Sequence, residues 1–280
     1  MIMLYQEKMI QKIKEKSRQD KCVVATMTYG SFSQNCGDQY SDIEFYIFIR
    51  DDEFDNFISR EWIEDIEPYY LHFRNEFGTE VVIFKNLIRG EFHFLPEREM
   101  DIINSFKFVG WFPNTDSMLL YDCNGKLKTY LDSLKEVKIK RNTAKNIEEV
   151  WNNLLNVLLL GMNVLKRGER ARALEWLWYA QRYLLQLVRI KEKKADRWVN
   201  PTKNLEWDIT EKAYQKYSLC TARLREQELY SAYNNALILG KELMDKLSKL
   251  YGANIQRDLL VRLEEYFNNK GGINYNIPKD

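Results

Sequence analysis

The chain has 280 residues, with 42 Lys and Arg against 41 Asp and Glu, so its formal net charge is +1. This balance disfavours a protein built mainly to bind nucleic acid, which would carry a basic surface. Hydrophobic residues make up 45% and aromatic residues 14% of the chain, beside 12 Gly and 5 Pro. That composition excludes a disordered or fibrous protein and predicts a packed core.

Targeting and metal signals are weak. No apolar run approaches the ~20 residues that a membrane span requires, and polar residues from Gln6 to Lys12 interrupt any apolar signal core at the N-terminus. Four scattered cysteines form no CxxC pair, and two histidines are too few for zinc-finger spacing. We therefore expect a cytoplasmic protein without a zinc site.

The first half of the chain mixes helices with strands. An amphipathic helix is predicted at the start, with Ile2, Tyr5, Met9 and Ile13 on one face. The following elements are predicted from apolar, β-branched and aromatic runs and from turn residues: strands 22–28 and 43–49, a helix 55–66, strands 79–84 and 91–95, and a hairpin turn at Asn124-Gly125.

The second half has helical periodicity throughout. A basic stretch from Lys135 to Lys145 precedes four amphipathic segments, centred near residues 157, 180, 237 and 262. We therefore predict an α+β protein with two domains: a small mixed β-sheet with flanking helices over residues 1–138, and an all-α helical bundle over residues 139–280. A substrate is expected in the cleft between them, where ligands commonly bind.

Chemistry is concentrated around Gly30-Ser31 and Ser41-Asp42-Ile43-Glu44, which leads into an apolar strand. Alternation along a strand puts Asp42 and Glu44 on the same face, where two carboxylates can hold Mg²⁺ together with phosphate oxygens. Gly30 permits close approach of backbone N–H groups to a phosphate, and Ser31 is placed to cap a following helix. The pattern predicts a site for a metal and a nucleotide.

These residues resemble the signature of the DNA-polymerase-β-like nucleotidyltransferases, and the whole chain, including Leu174-Glu175-Trp176-Leu177-Trp178, resembles a lincosamide nucleotidyltransferase. The resemblance implies transfer of AMP from ATP to a hydroxyl of a lincosamide antibiotic, which inactivates the drug. It also implies that Gly30 and Ser31 hold the triphosphate while Asp42 and Glu44 bind Mg²⁺. Two departures are Glu44, where Asp is commoner, and Phe32, where antibiotic-modifying members often have Arg.

A third carboxylate is expected from the segment around Glu91, as in relatives of this kind. Alternation puts Glu91 and His93 on one face of a strand. Glu91 is the predicted general base that takes the proton of the attacking hydroxyl. Glu80 is the rival base, a solvated edge strand is the structural alternative, and His93 would orient Glu91, contact the substrate or bond within the core.

Other interpretations stay open. The acceptor could be an aminoglycoside, which eleven acidic residues within 38–67 would attract, or a hydroxyl of a protein or RNA. A nucleotide-binding relative without catalysis is the remaining alternative, against which the Asp42 and Glu44 pair argues.

Association with a second copy is also expected. The helical half carries many large aromatic residues, and helices with apolar side chains on more than one face need a further partner surface. We predict a homodimer joined through the helical half, in which the partner chain can line each substrate cleft. The aromatic residues on which this rests are Trp151, Trp176, Trp178, Tyr179, Tyr183, Trp198, Trp207, Tyr230 and Tyr233.

Overall fold

The computed structural model describes residues 3–110, 112, 114–135 and 137–269. The chain divides into two compact units, Met1–Ile139 and Lys140–Asp280. The first contains a mixed β-sheet with flanking helices and the second is helical, so the predicted α+β class is confirmed. In the part of the chain that the structure describes, no helix is long and apolar enough to cross a membrane.

The first unit is built on a six-stranded sheet in the order β3-β4-β5-β2-β1-β6. Among the described strand pairs, β2 and β5 run parallel and the other four pairs run antiparallel. Its elements are α1 (Tyr5–Gln19), β1 (Val23–Tyr29), β2 (Ile43–Ile49), α2 (Ser59–Glu64), β3 (Tyr69–Arg74), β4 (Glu80–Phe84), β5 (Arg89–Pro96), α3 (Phe106–Val109), β6 (Leu119–Asp122) and α4 (Lys126–Lys135).

Alternation along the strands gives the sheet two different faces. Ile43, Phe45 and Ile47 of β2 are fully buried in a cluster that includes Met9 and Ile13 of α1. The opposite face buries a second cluster, which includes Met27 and Phe48 from the sheet and Leu127 and Leu131 from α4. Both faces of the sheet therefore carry a buried apolar cluster.

Several predicted elements change in detail. The helix predicted over 55–66 is shortened to α2, preceded by a 3₁₀ turn at Phe54–Asn56. Asn124-Gly125 does not form a hairpin, because it links β6 to α4 and the Asp122 carboxylate accepts a hydrogen bond from the Gly125 N–H. Tyr5 is 44% exposed instead of buried, and Ile2 lies outside the described residues.

The edge strand β3 was not predicted from the sequence. Its residues YYLHFR are exposed or only half-buried on both faces, so they lack the apolar alternation that marks a half-buried strand. Pairing with β4 supplies the hydrogen bonds that make it a strand. Its existence therefore depends on the neighbouring strand rather than on its own pattern.

The second unit is a helical bundle with its own core. Its helices are α5 (Ala144–Lys166), α6 (Arg170–Lys191), α7 (Leu205–Asp208), α8 (Glu211–Ser218), α9 (Glu226–Tyr251) and α10 (Arg257–Asn268), with a 3₁₀ turn at Ala195–Arg197. The bundle begins where Thr143 caps α5, since its hydroxyl accepts a hydrogen bond from the Asn146 N–H.

Close packing between α5, α6 and α9 requires a small residue at one point. A Cβ on Gly161 would lie 1.9 Å from the Tyr233 hydroxyl, which donates a 2.7 Å hydrogen bond to the Ala173 carbonyl. Arg189 is fully buried and ties the segment after α6 to the bundle, with hydrogen bonds to the carbonyls of Pro201 and Lys203. Arg182 and Gln186 of α6 add hydrogen bonds to the carbonyls of Val199 and Trp198, so several side chains of α6 hold the linking segment in place.

The nine aromatic residues that suggested a dimer divide into a buried group, an exposed group and a group that is partly buried against the core, which consists of Trp176, Tyr183 and Trp198. Trp151, Tyr230 and Tyr233 belong to the core of the helical unit. Trp207 is 82% exposed and Trp178 49% exposed. The helical unit therefore buries part of its aromatic surface in its own core.

Candidate active site

The parallel pairing of β2 with β5 brings the predicted site residues together. Glu44 lies opposite Glu91, and Ile43 lies opposite Gly90. The same register places Asp42, which immediately precedes β2, beside Arg89. Because side chains two residues apart share a face and neighbouring strands lie about 4.8 Å apart, Asp42, Glu44, Arg89 and Glu91 form a compact group on one face.

Arg89 makes the closest charged contacts in this group. Its Nη1 donates a 2.7 Å hydrogen bond to Asp42 Oδ2, and its Nη2 donates to Glu91 Oε1. Burial alone would lower the pKa of the Arg89 guanidinium. The hydrogen bonds to Glu91 and Asp42, together with the charges of these carboxylates, outweigh burial and raise this pKa. No motif in the sequence singles out Arg89, because the strand register that sets it beside Asp42 is not visible in a linear pattern.

Gly30 has a steric reason to be glycine. Its φ of +77° lies in the left-handed region, and a Cβ at this position would lie 1.4 Å from Glu44 Oε2. The turn after it closes on the Ser31 carbonyl, which accepts hydrogen bonds from the N–H groups of Gln34 and Cys36. Residues 31–35 form a turn, so the expected role of Ser31 as the cap of a helix is wrong.

Tyr29 and His93 lie beside the carboxylates. Tyr29 is the register partner of Glu44 on β1, and its hydroxyl donates a 3.4 Å hydrogen bond to Glu91 Oε2. The same hydroxyl lies 3.0 Å from Nε2 of His93, whose ring stacks on Tyr46 with centroids 4.2 Å apart. His93 thus reaches Glu91 through Tyr29, which the sequence reading did not select.

Burial sets the protonation states of this pair. It raises the pKa of the Tyr29 hydroxyl well above its ordinary value, and the charges of Glu44 and Glu91 add to the effect. Burial lowers the pKa of His93, against the opposing charge of Glu91. Tyr29 therefore remains a hydrogen-bond donor at neutral pH, and His93 is held towards its neutral form.

Glu80, the rival base, lies on the other face of the sheet. In the pairing of β4 with β5, Val81 is opposite Glu91 and Glu80 is opposite Phe92. Glu80 is 5% exposed, and it accepts hydrogen bonds from Ser59 at 2.8 Å and Arg74 at 3.1 Å while His72 Nε2 lies 2.8 Å away. These contacts give Glu80 a structural role and leave Glu91 as the carboxylate beside Asp42 and Glu44.

The carboxylates suit a hard cation by their donor chemistry. Mg²⁺ prefers carboxylate oxygens together with phosphate oxygens and water, and Asp42 and Glu91 already share the guanidinium of Arg89. Within the described residues, no three His, Cys, Asp or Glu side chains are grouped closely enough to hold a metal ion by themselves. A cation here would thus need ligands beyond the protein, such as water or phosphate oxygens.

The helical unit has a recognisable relative. Residues 143–266 match the family model described as lincosamide nucleotidyltransferase-like, C-terminal domain. The helical unit is therefore similar to this family. The match confirms the resemblance to lincosamide nucleotidyltransferases that the sequence predicted.

Two solved structures are similar to the chain at low identity. An aminoglycoside 6-adenyltransferase from Bacillus subtilis is 14% identical, with a TM-score of 0.44 over 95% of this chain and 98% of that one. A nucleotidyltransferase-like protein from Exiguobacterium sibiricum 255-15 is 14% identical, with a TM-score of 0.38 over 92% of this chain and 87% of that one. No curated protein matches the chain. We transfer no property from the two structures, since both TM-scores are below 0.5.

The contact between Gly30 and Glu44 yields a first prediction. In Gly30→Ala the new methyl group displaces the Glu44 carboxylate. Gly78→Ala is the control, because Gly78 also has a positive φ, of +80°, but a methyl group there would have no atom within 4 Å. Both variants should lose about 1 kcal/mol of unfolding free energy, because alanine is strained in the left-handed backbone conformation that both positions adopt. Gly30→Ala should lose no more than Gly78→Ala, since the flexible Glu44 side chain can move away from the new methyl group. Affinity for Mn²⁺, a probe for Mg²⁺, should fall about tenfold in Gly30→Ala alone.

Urea denaturation and titration with Mn²⁺ followed by electron paramagnetic resonance check this expectation. Equal Mn²⁺ affinity in Gly30→Ala and Gly78→Ala would show that the position of the Glu44 carboxylate does not matter for cation binding.

Proposed function

We propose that the protein transfers AMP from ATP to a hydroxyl of a lincosamide antibiotic, releasing pyrophosphate and inactivating the drug. The observation that carries this proposal is the parallel register of β2 and β5, which places Asp42, Glu44 and Glu91 on one face beside the Gly30 turn. The family match of the helical unit supports a lincosamide as the acceptor.

Each residue has a distinct part in the proposed reaction. Asp42 and Glu44 would hold Mg²⁺, which neutralises charge on the phosphate oxygens when it is bound. Gly30 and Ser31 seat the phosphates, because Gly30 carries no side chain where the backbone must come close to a ligand. Glu91 takes the proton of the acceptor hydroxyl as its oxygen attacks the α-phosphorus, and the bond from that phosphorus to pyrophosphate breaks.

Tyr29 and His93 support the base in this scheme. The Tyr29 hydroxyl holds one oxygen of Glu91, and Arg89 holds the other. The rotation of the Glu91 side chain is thus restricted before substrate binds, so less entropy is lost when the carboxylate is positioned for the reaction. His93 acts on Glu91 through Tyr29, since its ring nitrogen contacts the Tyr29 hydroxyl.

A polycationic aminoglycoside is the rival acceptor, because residues 38–67 carry eleven acidic side chains. Part of this charge is engaged within the first unit, where Asp65 pairs with Lys16 and Glu67 pairs with Lys12. The pairing weakens the attraction of this segment for a polycation.

Pyrophosphate release with Mg·ATP and a panel of lincosamides and aminoglycosides tests the function. Lincosamide-dependent release is expected, and it should be lost in Asp42→Asn and in Glu44→Gln, since each change removes one charge from the metal site and keeps the side-chain shape. Circular dichroism should show both variants folded.

The panel also separates the alternatives. Release with aminoglycosides alone would keep the enzyme and change its acceptor. Nucleotide binding without release for any acceptor would indicate a relative that binds and does not catalyse. Near-normal kcat in both Asp42→Asn and Glu44→Gln would contradict the assignment of these two carboxylates.

Glu91 and Glu80 offer a matched pair of substitutions. Glu91→Gln should lower kcat by about 10²-fold or more, the size expected for loss of a general base, while ATP binding persists. Glu80→Gln should keep kcat and instead lower the unfolding free energy by about 1–3 kcal/mol, because a buried hydrogen-bonded carboxylate is changed. Steady-state kinetics and urea denaturation of both variants give the two readings, and the reverse pattern would make Glu80 the base.

We also propose that the protein forms a homodimer through its helical half. The support is the exposed aromatic surface that remains after the bundle is packed, including Trp178 and Trp207. Light scattering at micromolar concentration should give about twice the 33.6 kDa of one chain. A mass of one chain would contradict the dimer, and a fall in mass of the Trp207→Ser variant would locate the interface.

A further inference from the structure

Arg89 lies at the centre of the carboxylate group, and its hydrogen bond to Asp42 has no part in the proposed reaction. It begins β5 at the register position beside Asp42, two residues before Glu91 and on the same face. Its partner on β4 is Ile83, so an apolar side chain borders the arginine on that side. The strand geometry directs the guanidinium towards β2 and its carboxylates.

The guanidinium binds two carboxylates at once. Nη1 donates to Asp42 Oδ2 at 2.7 Å and Nη2 donates to Glu91 Oε1. The guanidinium of Arg89 therefore binds both the proposed metal ligand, Asp42, and the proposed base, Glu91. The side chains of Arg89 and Asp42 are 38% and 42% exposed, whereas that of Glu91 is 23% exposed. The Asp42 end of the bridge is the more accessible to solvent and therefore the easier to exchange.

A divalent cation on this group would approach Arg89, whose guanidinium already binds the carboxylates of Asp42 and Glu91. A cation that takes Asp42 as ligand must meet the positive charge of Arg89 at short range, and like charges at such a distance repel strongly.

We propose that Arg89 is a built-in competitor of the divalent cation, which holds Asp42 and Glu91 in place in the free protein and yields Asp42 when the metal arrives with the nucleotide. The inference rests on the proposed function, in which Asp42 is a metal ligand. The guanidinium keeps its bond to Glu91 throughout, so that the base stays oriented. The released Nη1 can then donate to a phosphate oxygen, since guanidinium binds phosphate oxygens well.

Binding of Mn²⁺ in the absence of nucleotide tests the competition directly. Arg89→Gln keeps N–H donors and removes the charge, whereas Arg89→Lys keeps the charge and loses the two-pronged geometry. Mn²⁺ affinity, read by electron paramagnetic resonance, should rise about tenfold in Arg89→Gln and stay within about threefold of wild type in Arg89→Lys. Arg98→Gln is the control, since Arg98 forms an exposed ion pair with Asp51 beyond the C-terminal ends of β5 and β2, whereas Arg89 and Asp42 lie at their N-terminal ends.

In Arg89→Gln we expect kcat to fall although the affinity for Mn²⁺ rises. In Arg89→Gln the Glu91 carboxylate loses its charged partner, so kcat should fall about tenfold while Mn²⁺ binds more tightly. A merely structural arginine would weaken both quantities when it is replaced. Arg89→Met is the second neutral variant, with the same expected rise in Mn²⁺ affinity if Arg89→Gln does not fold.

Unchanged or weaker Mn²⁺ binding in the folded neutral variants overturns the role of Arg89. Asp42→Asn separates this failure from failure of the proposed function. If Asp42→Asn abolishes Mn²⁺ binding and Arg89→Gln does not strengthen it, the metal site stands and the competition is wrong. If Asp42→Asn binds Mn²⁺ as wild type does, the metal assignment and the competition fall together.

Discussion

The register between β2 and β5 is the constraint on which the candidate site depends. These two strands run parallel, with Glu44 opposite Glu91, and Asp42 and Arg89 lie two positions earlier, on the same face of the sheet. A slip by one residue would turn one strand's acidic side chains towards the buried face, where Ile43 and Phe92 now pack. The apolar face therefore fixes the register, and the register in turn assembles the charges.

The two faces of the sheet separate acidic groups by role. One face holds Glu80 in a closed set of partners on α2 and β3, where it links an edge strand to the helix beside it. The other face ends in the open group of Asp42, Glu44 and Glu91, with Tyr29 and Arg89 as its hydrogen-bond donors. Two glutamates on adjacent strands thus meet different surroundings, because alternation sends neighbouring side chains in opposite directions.

Gly30 and Arg89 act on the same carboxylates in different ways. Gly30 leaves the space that the Glu44 carboxylate fills, and Arg89 attracts the Asp42 and Glu91 carboxylates to one cation. Gly30, by having no side chain, and Arg89, by its positive charge, together allow the three carboxylates to lie close to one another. Such a concentration is costly without a cation, so the arginine stabilises the free protein in an arrangement that suits a metal and phosphates.

Local patterns in the sequence determined the strands β1, β2, β4 and β5, the helical second half, and the shared face of Asp42 and Glu44, because residues two apart on a strand always point the same way. The sequence also indicated Glu91 through its alternation with Phe92. Tertiary structure decided that Glu91 and not Glu80 joins Asp42 and Glu44, that Arg89 bridges Asp42 and Glu91, and that Gly30 makes room for Glu44. It also made β3 a strand and turned the expected hairpin at Asn124-Gly125 into the start of α4. The physical reason is range: periodicity acts over neighbouring residues, whereas the pairing of strands more than forty residues apart is set by how the whole sheet buries its apolar faces.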